Sequence, residues 1–304
     1  MASLKSHFYA FVLKHTRKKA FMSEEGLRQR LAKMRPVEDH RPPEKVKDRL
    51  DITQSDVQDH VVYEARPKTG AVGRRILYLH GGAYCFELTP FHWLLIAELA
   101  ERLSAQVTVP VYPLAPEHQF DQIYGMAGEV YRRVFAEAPH AAIVGDSAGG
   151  NMALVLTLMA AERGDPIASS LALLSPSVDS SLANPQVHDY AKRDPWLDIP
   201  GALAAMHMYA GGLNLADWRI SPIYGDVAAL PRTLIFSGTR DLLYPDTVLF
   251  VDKARAAGVD IDLVRGAGMF HVWPLLDIPE ARPARDRMVA FLEQAPSQAA
   301  ARAA

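Results

Sequence analysis

Cysteine is almost missing: Cys85 is the single one in 304 residues. No disulfide can therefore form within the chain, which fits a reducing cytoplasm. Neither an HExxH pattern nor a paired CxxC is present, so nothing marks a metal site. An excess of one charge is lacking too. Lys and Arg number 33 against 35 Asp and Glu, a formal net charge of -2, which supplies no general field for nucleic acid or an anionic membrane. No run approaches the roughly 20 apolar residues of a bilayer span. The N-terminal stretch LKSHFYAFVLKHTRKKAFM is basic throughout, and its apolar runs are too short for the core of a secretory signal. Internal repeats and low-complexity tracts are absent.

What is present is apolar sequence, 49% of the chain, enough for one large core. Residues 1 to about 50 read as helical and then as a connection broken by RPPEKVKDRL. Leu4, Phe8, Phe11, Val12 and His15 follow helical spacing. This stripe is expected to pack over the rest of the protein; the competing reading is a helix lying on a membrane surface. From about residue 57 short apolar runs alternate with helical segments. DHVVYEAR, RRILYLH, QVTVPVYP, AAIVGD, LALLSP, TLIFSG and IDLVRGA read as strands, with helices between and after them. That rhythm predicts an α/β fold with a mostly parallel sheet and helices on both faces. Several strands are apolar throughout, as strands buried on both faces should be. The tail APSQAAARAA is expected to fray.

Residues 177 to 221 break the rhythm and are too long for an ordinary connection. They read as an inserted lid that residues 1-50 join in space, over a core of 51-176 and 222-304. Trp196, Met206 and Met208 either line a cavity under that lid or pack its helices; packing is the expectation for each.

The stretch Gly145-Asp146-Ser147-Ala148-Gly149 is a G-x-S-x-G pattern where an apolar strand meets a helix. Small neighbours let such a turn close and push the hydroxyl to its tip, beside the free N–H groups of a helix start. Read as a phosphate loop it fails, being neither GxGxxG nor GxxxxGK[ST]. A serine attacking a carbonyl needs fixed donors for the oxyanion. The amides of Gly81 and Gly82 in HGGAY, with that of Ala148, are candidates for that hole. His80 is expected to brace this loop by hydrogen bonding, and Cys85 to pack. Serine also needs a base, and the base a carboxylate to orient it. His271 in GAGMFHVWP is the candidate base and Asp241 in TRDLLYPD the candidate acid. Asp246 competes with Asp241, and is read as a cap near the start of the following helix.

Taken together, HGGAY, VYPLAPEHQF, GDSAGGN, SPIYGD, SGTRDLLYPD and GMFHVW make the chain resemble the hormone-sensitive-lipase-like branch of the α/β-hydrolase family, from about Val61 to the last helix. The order Ser147, Asp241, His271 is the order that fold expects. The resemblance implies an eight-stranded, mostly parallel sheet with a helical cap, carboxylic ester hydrolysis through an acyl-serine, and no cofactor. It implies Ser147 as nucleophile, His271 as base and acid, Asp241 as its orienting partner, and Glu117 as a brace near HGG. It further implies short acyl substrates, and a homodimer through the last strand and helix. Two departures stand out. Ala83 and Val272 occupy places where the family usually has glycine. Ala83 is expected to cost little unless φ is positive there, and Val272 and Trp273 to narrow the pocket. Hydrolysis of amides, lactones or N-acetyl groups, a non-catalytic receptor, and a membrane-associated lipase are the alternatives.

Overall fold

The computed structural model describes residues 2–294; the tail APSQAAARAA lies outside them. Eight strands form one sheet: β1 (Leu50–Val57), β2 (His60–Pro67), β3 (Arg74–Leu79), β4 (Ala105–Pro110), β5 (Ala142–Asp146), β6 (Ser170–Leu174), β7 (Thr233–Gly238) and β8 (Ile261–Gly266), in the order β1-β2-β4-β3-β5-β6-β7-β8. The first two pairings, β1 with β2 and β2 with β4, are antiparallel. Every pairing from β4 to β8 is parallel. Period-two alternation divides the central strands between two cores. Ile143, Leu171, Leu173, Leu77 and Leu79 point to one face, and Val144, Ala172, Leu174, Ile76 and Tyr78 to the other.

Ten helices accompany the strands among the described residues: α1 (Leu4–Phe21), α2 (Glu24–Met34), α3 (Glu44–Lys47), α4 (Pro90–Leu103), α5 (Phe120–Glu137), α6 (Ala148–Arg163), α7 (Val187–Arg193), α8 (Ile199–Ala210), α9 (Tyr244–Ala256) and α10 (Ala281–Glu293). Helix residues of α4 and α10 join the core on one face, and those of α5, α6 and α9 the core on the other. No described helix is long and apolar enough to cross a membrane.

Strand β1 escapes the sequence reading for a physical reason. It is an edge strand whose residues between Leu50 and Val57 are mostly exposed, so it carries no apolar run. Its register is set by a tight hairpin at Gln58 and Asp59, both with positive φ (50° and 63°).

Helix α1 corrects a second expectation. The face it buries is Ser6, Ala10, Leu13, Ala20 and Phe21. The stripe read from the sequence points outward instead: Leu4 is 89% exposed, Phe8 65%, Phe11 60% and Val12 39%. Small residues on the inner face let α1 lie close to its neighbours. Near its end, Lys18 Nζ donates to the carbonyls of Ala191 (2.5 Å) and Leu197 (2.6 Å) and pairs with Asp198 at 3.1 Å. Gly201 in α8 meets the Phe21 backbone so closely that a Cβ there would sit 2.4 Å from Phe21 Cα.

Asn151, in the first turns of α6, reaches the roots of the long excursion after β6. Its Nδ2 donates to the carbonyls of Ser177 (2.6 Å) and Ile220 (2.9 Å), while its Oδ1 accepts from Tyr84 Oη at 2.6 Å.

Candidate active site

Strands β3, β5, β7 and β8 all end at the same edge of the sheet, and each delivers one part of the site. In open parallel sheets, the crevice outside the carboxyl ends of the strands is where ligands bind. Ser147 follows β5 with φ 51° and ψ -117°, a conformation that L-residues avoid and that persists only where the surroundings enforce it. Its N–H donates to the Leu174 carbonyl at 2.8 Å. The small residues around it have a steric cause: a Cβ on Gly149 would lie 2.0 Å from the Leu79 carbonyl oxygen.

His271 Nδ1 lies 3.0 Å from Asp241 Oδ2, and His271 Nε2 lies 2.9 Å from Ser147 Oγ. A carboxylate only accepts, so Nδ1 carries the proton and Nε2 is left bare toward the serine hydroxyl. Asp241 is fully buried and His271 is 3% exposed. Burial works to lower the His271 pKa. The Asp241 carboxylate, through its charge and its hydrogen bond, outweighs it with smaller help from Asp194 and Asp146, and the net shift is upward.

Asp246 is no helix cap. It lies inside the first turn of α9, is buried, and accepts from Asn184 Nδ2 at 2.8 Å. Its other oxygen has no partner, and burial pushes its carboxyl up to about 6.

The HGGAY loop after β3 turns on Gly82 (φ 130°), with the Cys85 and Phe86 amides donating to its carbonyl. Gly81 and Gly82 line the same cavity as Ser147. Ala148 opens α6, where first-turn amides have no intrahelical partner. His80 Nδ1 donates to the Gly81 carbonyl at 2.7 Å, its ring stacked 4.2 Å from Tyr112. Burial and the neighbouring His92 push it down to about 3, so it stays neutral. Cys85 is buried and its thiol is pushed up to about 12. Glu117 reaches the loop through Arg35: it holds that guanidinium at 2.8 Å, and Arg35 donates to the Cys85 carbonyl at 2.9 Å.

Both departures from the family pattern fall where the backbone favours glycine. Ala83 has φ 53° and Val272 φ 46°. The condition under which Ala83 would cost little is therefore not met: a side chain in this region costs roughly 1–2 kcal/mol. Val272 lines the cavity, but Trp273 does not; it packs edge-on against Phe236 at 6.4 Å. Met206 and Met208 pack in the core. Trp196, by contrast, lines the cavity, edge-on to His271 at 5.8 Å.

Two acids of this site were missed by the sequence reading. Asp146 accepts from Tyr78 Oη at 3.0 Å and lies 3.3 Å from His92 Nε2. Its Oδ2 sits where a Cβ of residue 81 would be, at 2.2 Å, which explains Gly81. Asp194, in the excursion after β6, is 3% exposed. It accepts from the amides of Trp196 (2.6 Å), Leu197 (3.0 Å) and Leu242 (2.7 Å). The last of these belongs to the residue following Asp241, so the excursion is tied to the loop of the candidate acid. Burial first, then Asp241 beside it, pushes Asp194 up to about 6.

The cavity over Ser147 and His271 has a volume of about 270 Å³, with α1 on one side and the HGGAY loop on the other. Among the described residues no group of three or more His, Cys, Asp or Glu could hold a metal ion.

Residues 76–275 match a protein-family model described as alpha/beta hydrolase fold. An esterase of Acinetobacter venetianus is 32% identical over 215 residues, covering 69% of this chain and 71% of that protein. A triacylglycerol lipase of Mycobacterium tuberculosis is 32% identical over 207 residues, 67% of this chain but only 43% of that longer protein. The crystal structure of a hormone-sensitive lipase from a metagenome library superposes with a TM-score of 0.82 at 28% identity, covering 96% of this chain and 99% of the other.

Proposed function

The chain belongs to the α/β-hydrolase family, in its hormone-sensitive-lipase-like branch of ester hydrolases, and from that membership we propose that it is a serine carboxylesterase working through Ser147, His271 and Asp241. The observation that carries the reading is the relay of 2.9 Å and 3.0 Å contacts from Ser147 Oγ through His271 to Asp241, at the edge of a cavity.

Ser147 Oγ attacks the ester carbonyl as Nε2 of His271 takes its proton. The oxyanion is held by the amides of Gly81, Gly82 and Ala148. Asp241 stabilises the imidazolium and keeps it in register. His271 then protonates the leaving alcohol, and the acyl-serine remains. Water, deprotonated by the same nitrogen, releases the acid.

Residues 1-50 and 177-221 act in this proposal as a cap over the core of 51-176 and 222-304; the Lys18 contacts with Ala191, Leu197 and Asp198 support that division. Short acyl chains suit the cavity, whose walls include the bulky Trp196, Phe86 and Val272. A homodimer through β8, the edge strand opposite β1, and α10 completes the proposal; light scattering at a mass near one chain would dismiss it.

Hydrolysis rates on p-nitrophenyl esters of rising chain length, with an anilide beside them, test the chemistry and the pocket together. Turnover is expected to peak at short acyl chains, and an organophosphonate is expected to label Ser147. A chain that hydrolyses none of the esters and resists the label is no serine esterase.

A further inference from the structure

Two ionisable side chains on the wall of the cavity take no part in the proposed chemistry and have no adequate partner. Arg17 comes from α1, and Glu87 from the segment following HGGAY; both line the cavity with Ser147. Arg17 makes no hydrogen bond or ion pair with a described residue. Burial and the neighbouring Arg30 guanidinium push its pKa down to about 10, and the acid whose field opposes them is Glu38. It remains a cation at neutral pH. Glu38 is turned elsewhere, 3.5 Å from an Arg35 guanidinium nitrogen and 3.3 Å from the Glu87 amide it accepts from. Other ionisable groups on this wall are satisfied: Asp146 by Tyr78 and His92, and His271 by Asp241.

A partly desolvated guanidinium without a counter-ion is unfavourable on its own. On the wall of a substrate cavity its missing partner is an anion that arrives with the ligand. Resting on the esterase reading above, we propose that Arg17 anchors a carboxylate carried by the substrate away from the scissile ester, so that the preferred substrates are hemiesters of short dicarboxylic acids. The planar fork of arginine suits a carboxylate in two-point contact. Glu87 decides between an anion and a cation as the guest. One of its carboxylate oxygens is buried without a partner. Burial first, and then Glu38, pushes its carboxyl up to about 7. Near neutrality it is therefore not a full negative charge, whereas Arg17 is charged throughout. Arg17 is thus the standing charge on this wall that lacks a partner, the Asp146 carboxylate being taken up by Tyr78 and His92.

The test compares monomethyl succinate, glutarate and adipate with methyl esters of the corresponding neutral acids, by pH-stat, on the full chain. The wild type is expected to favour the best hemiester in kcat/KM by about tenfold or more, the scale of one charge-assisted hydrogen bond. Arg17→Met is expected to reduce that preference by about tenfold to a hundredfold, mainly through KM, and Arg17→Lys to restore part of it. Near-UV circular dichroism checks that both variants fold. Equal rates on hemiester and neutral ester in the wild type would overturn the proposal. So would Arg17→Met slowing both esters alike, or a preference for methyl 6-aminohexanoate, which would hand the site to Glu87 and a cation. Turnover of no ester at all would count against the esterase reading instead.

Discussion

Replacing Asp241 by asparagine isolates what the buried carboxylate does, because the local hydrogen bonds dictate how the amide would sit. Asp241 Oδ1 accepts from the Leu243 N–H at 3.0 Å, and Oδ2 faces His271 Nδ1 at 3.0 Å. An asparagine keeps its oxygen on the Leu243 amide and turns its NH2 toward the imidazole. Nδ1 must then accept, and the ring proton moves to Nε2, facing Ser147 Oγ. The base is thus filled before the reaction begins. The lost charge adds to this. A pair about 4 Å apart at an effective dielectric near 20 is worth about 4 kcal/mol, or about a thousandfold in rate. Asp241 is 0% and His271 3% exposed, so solvent screens little of it. Tautomer and charge together should lower kcat by about 10⁴. The assay is kcat and KM on p-nitrophenyl butyrate, with Asp246→Asn beside it. That second variant should retain turnover and gain stability. The carboxyl of Asp246 is pushed up to about 6 against about 3.9 in an unfolded chain. Its protonated fold is favoured at low pH, and stability is lost as pH rises from about 4 through 6. At pH 7 the charge is a standing cost on the order of 2–3 kcal/mol, which asparagine removes, seen as a higher urea midpoint. A loss below about tenfold for Asp241→Asn, with a severe one for Asp246→Asn, would refute the argument and move the acid to Asp246.

Three further outcomes are expected. Ser147→Ala should remove about 10⁶ of ester turnover while leaving circular dichroism unchanged; near wild-type rates would end the nucleophile assignment. His271 must be neutral to accept a proton and its pKa is raised. The acid limb of kcat/KM should therefore have its midpoint above about 6.5, and Asp194→Asn, by removing one raising charge, should move it to lower pH. An unmoved limb would show that Asp194 has no say in the titration. Gly149→Ala should fail to yield folded enzyme, since its methyl would lie 2.0 Å from the Leu79 carbonyl oxygen; a folded, active variant would contradict the elbow geometry.

Seven of the eight strands and the long helices were legible because strands rich in apolar residues and amphipathic helices announce themselves by pattern. Ser147, Asp241 and His271 could be picked out because each follows a strand in a recognisable stretch. Positions governed by the backbone were not legible. Ala83 and Val272 look innocuous as letters, and only the structure shows their positive φ, where a glycine would be unstrained. Direction was equally hidden on α1, where both faces carry some apolar residues and packing favoured the face with the smaller side chains. Asp194 and Asn151 act across long sequence separations. The only sign of either was a polar residue inside an otherwise apolar or Pro-rich stretch, which spacing alone cannot assign to a partner.

The bond pair made by Asn151 has a mechanical consequence. One amide group clasps the entry and the exit of the excursion after β6, a tie that stands beside the one from Asp194 to the Leu242 amide. Without the Asn151 amide the Ser177 and Ile220 carbonyls lose a donor together, so entry and exit loosen in one event rather than separately.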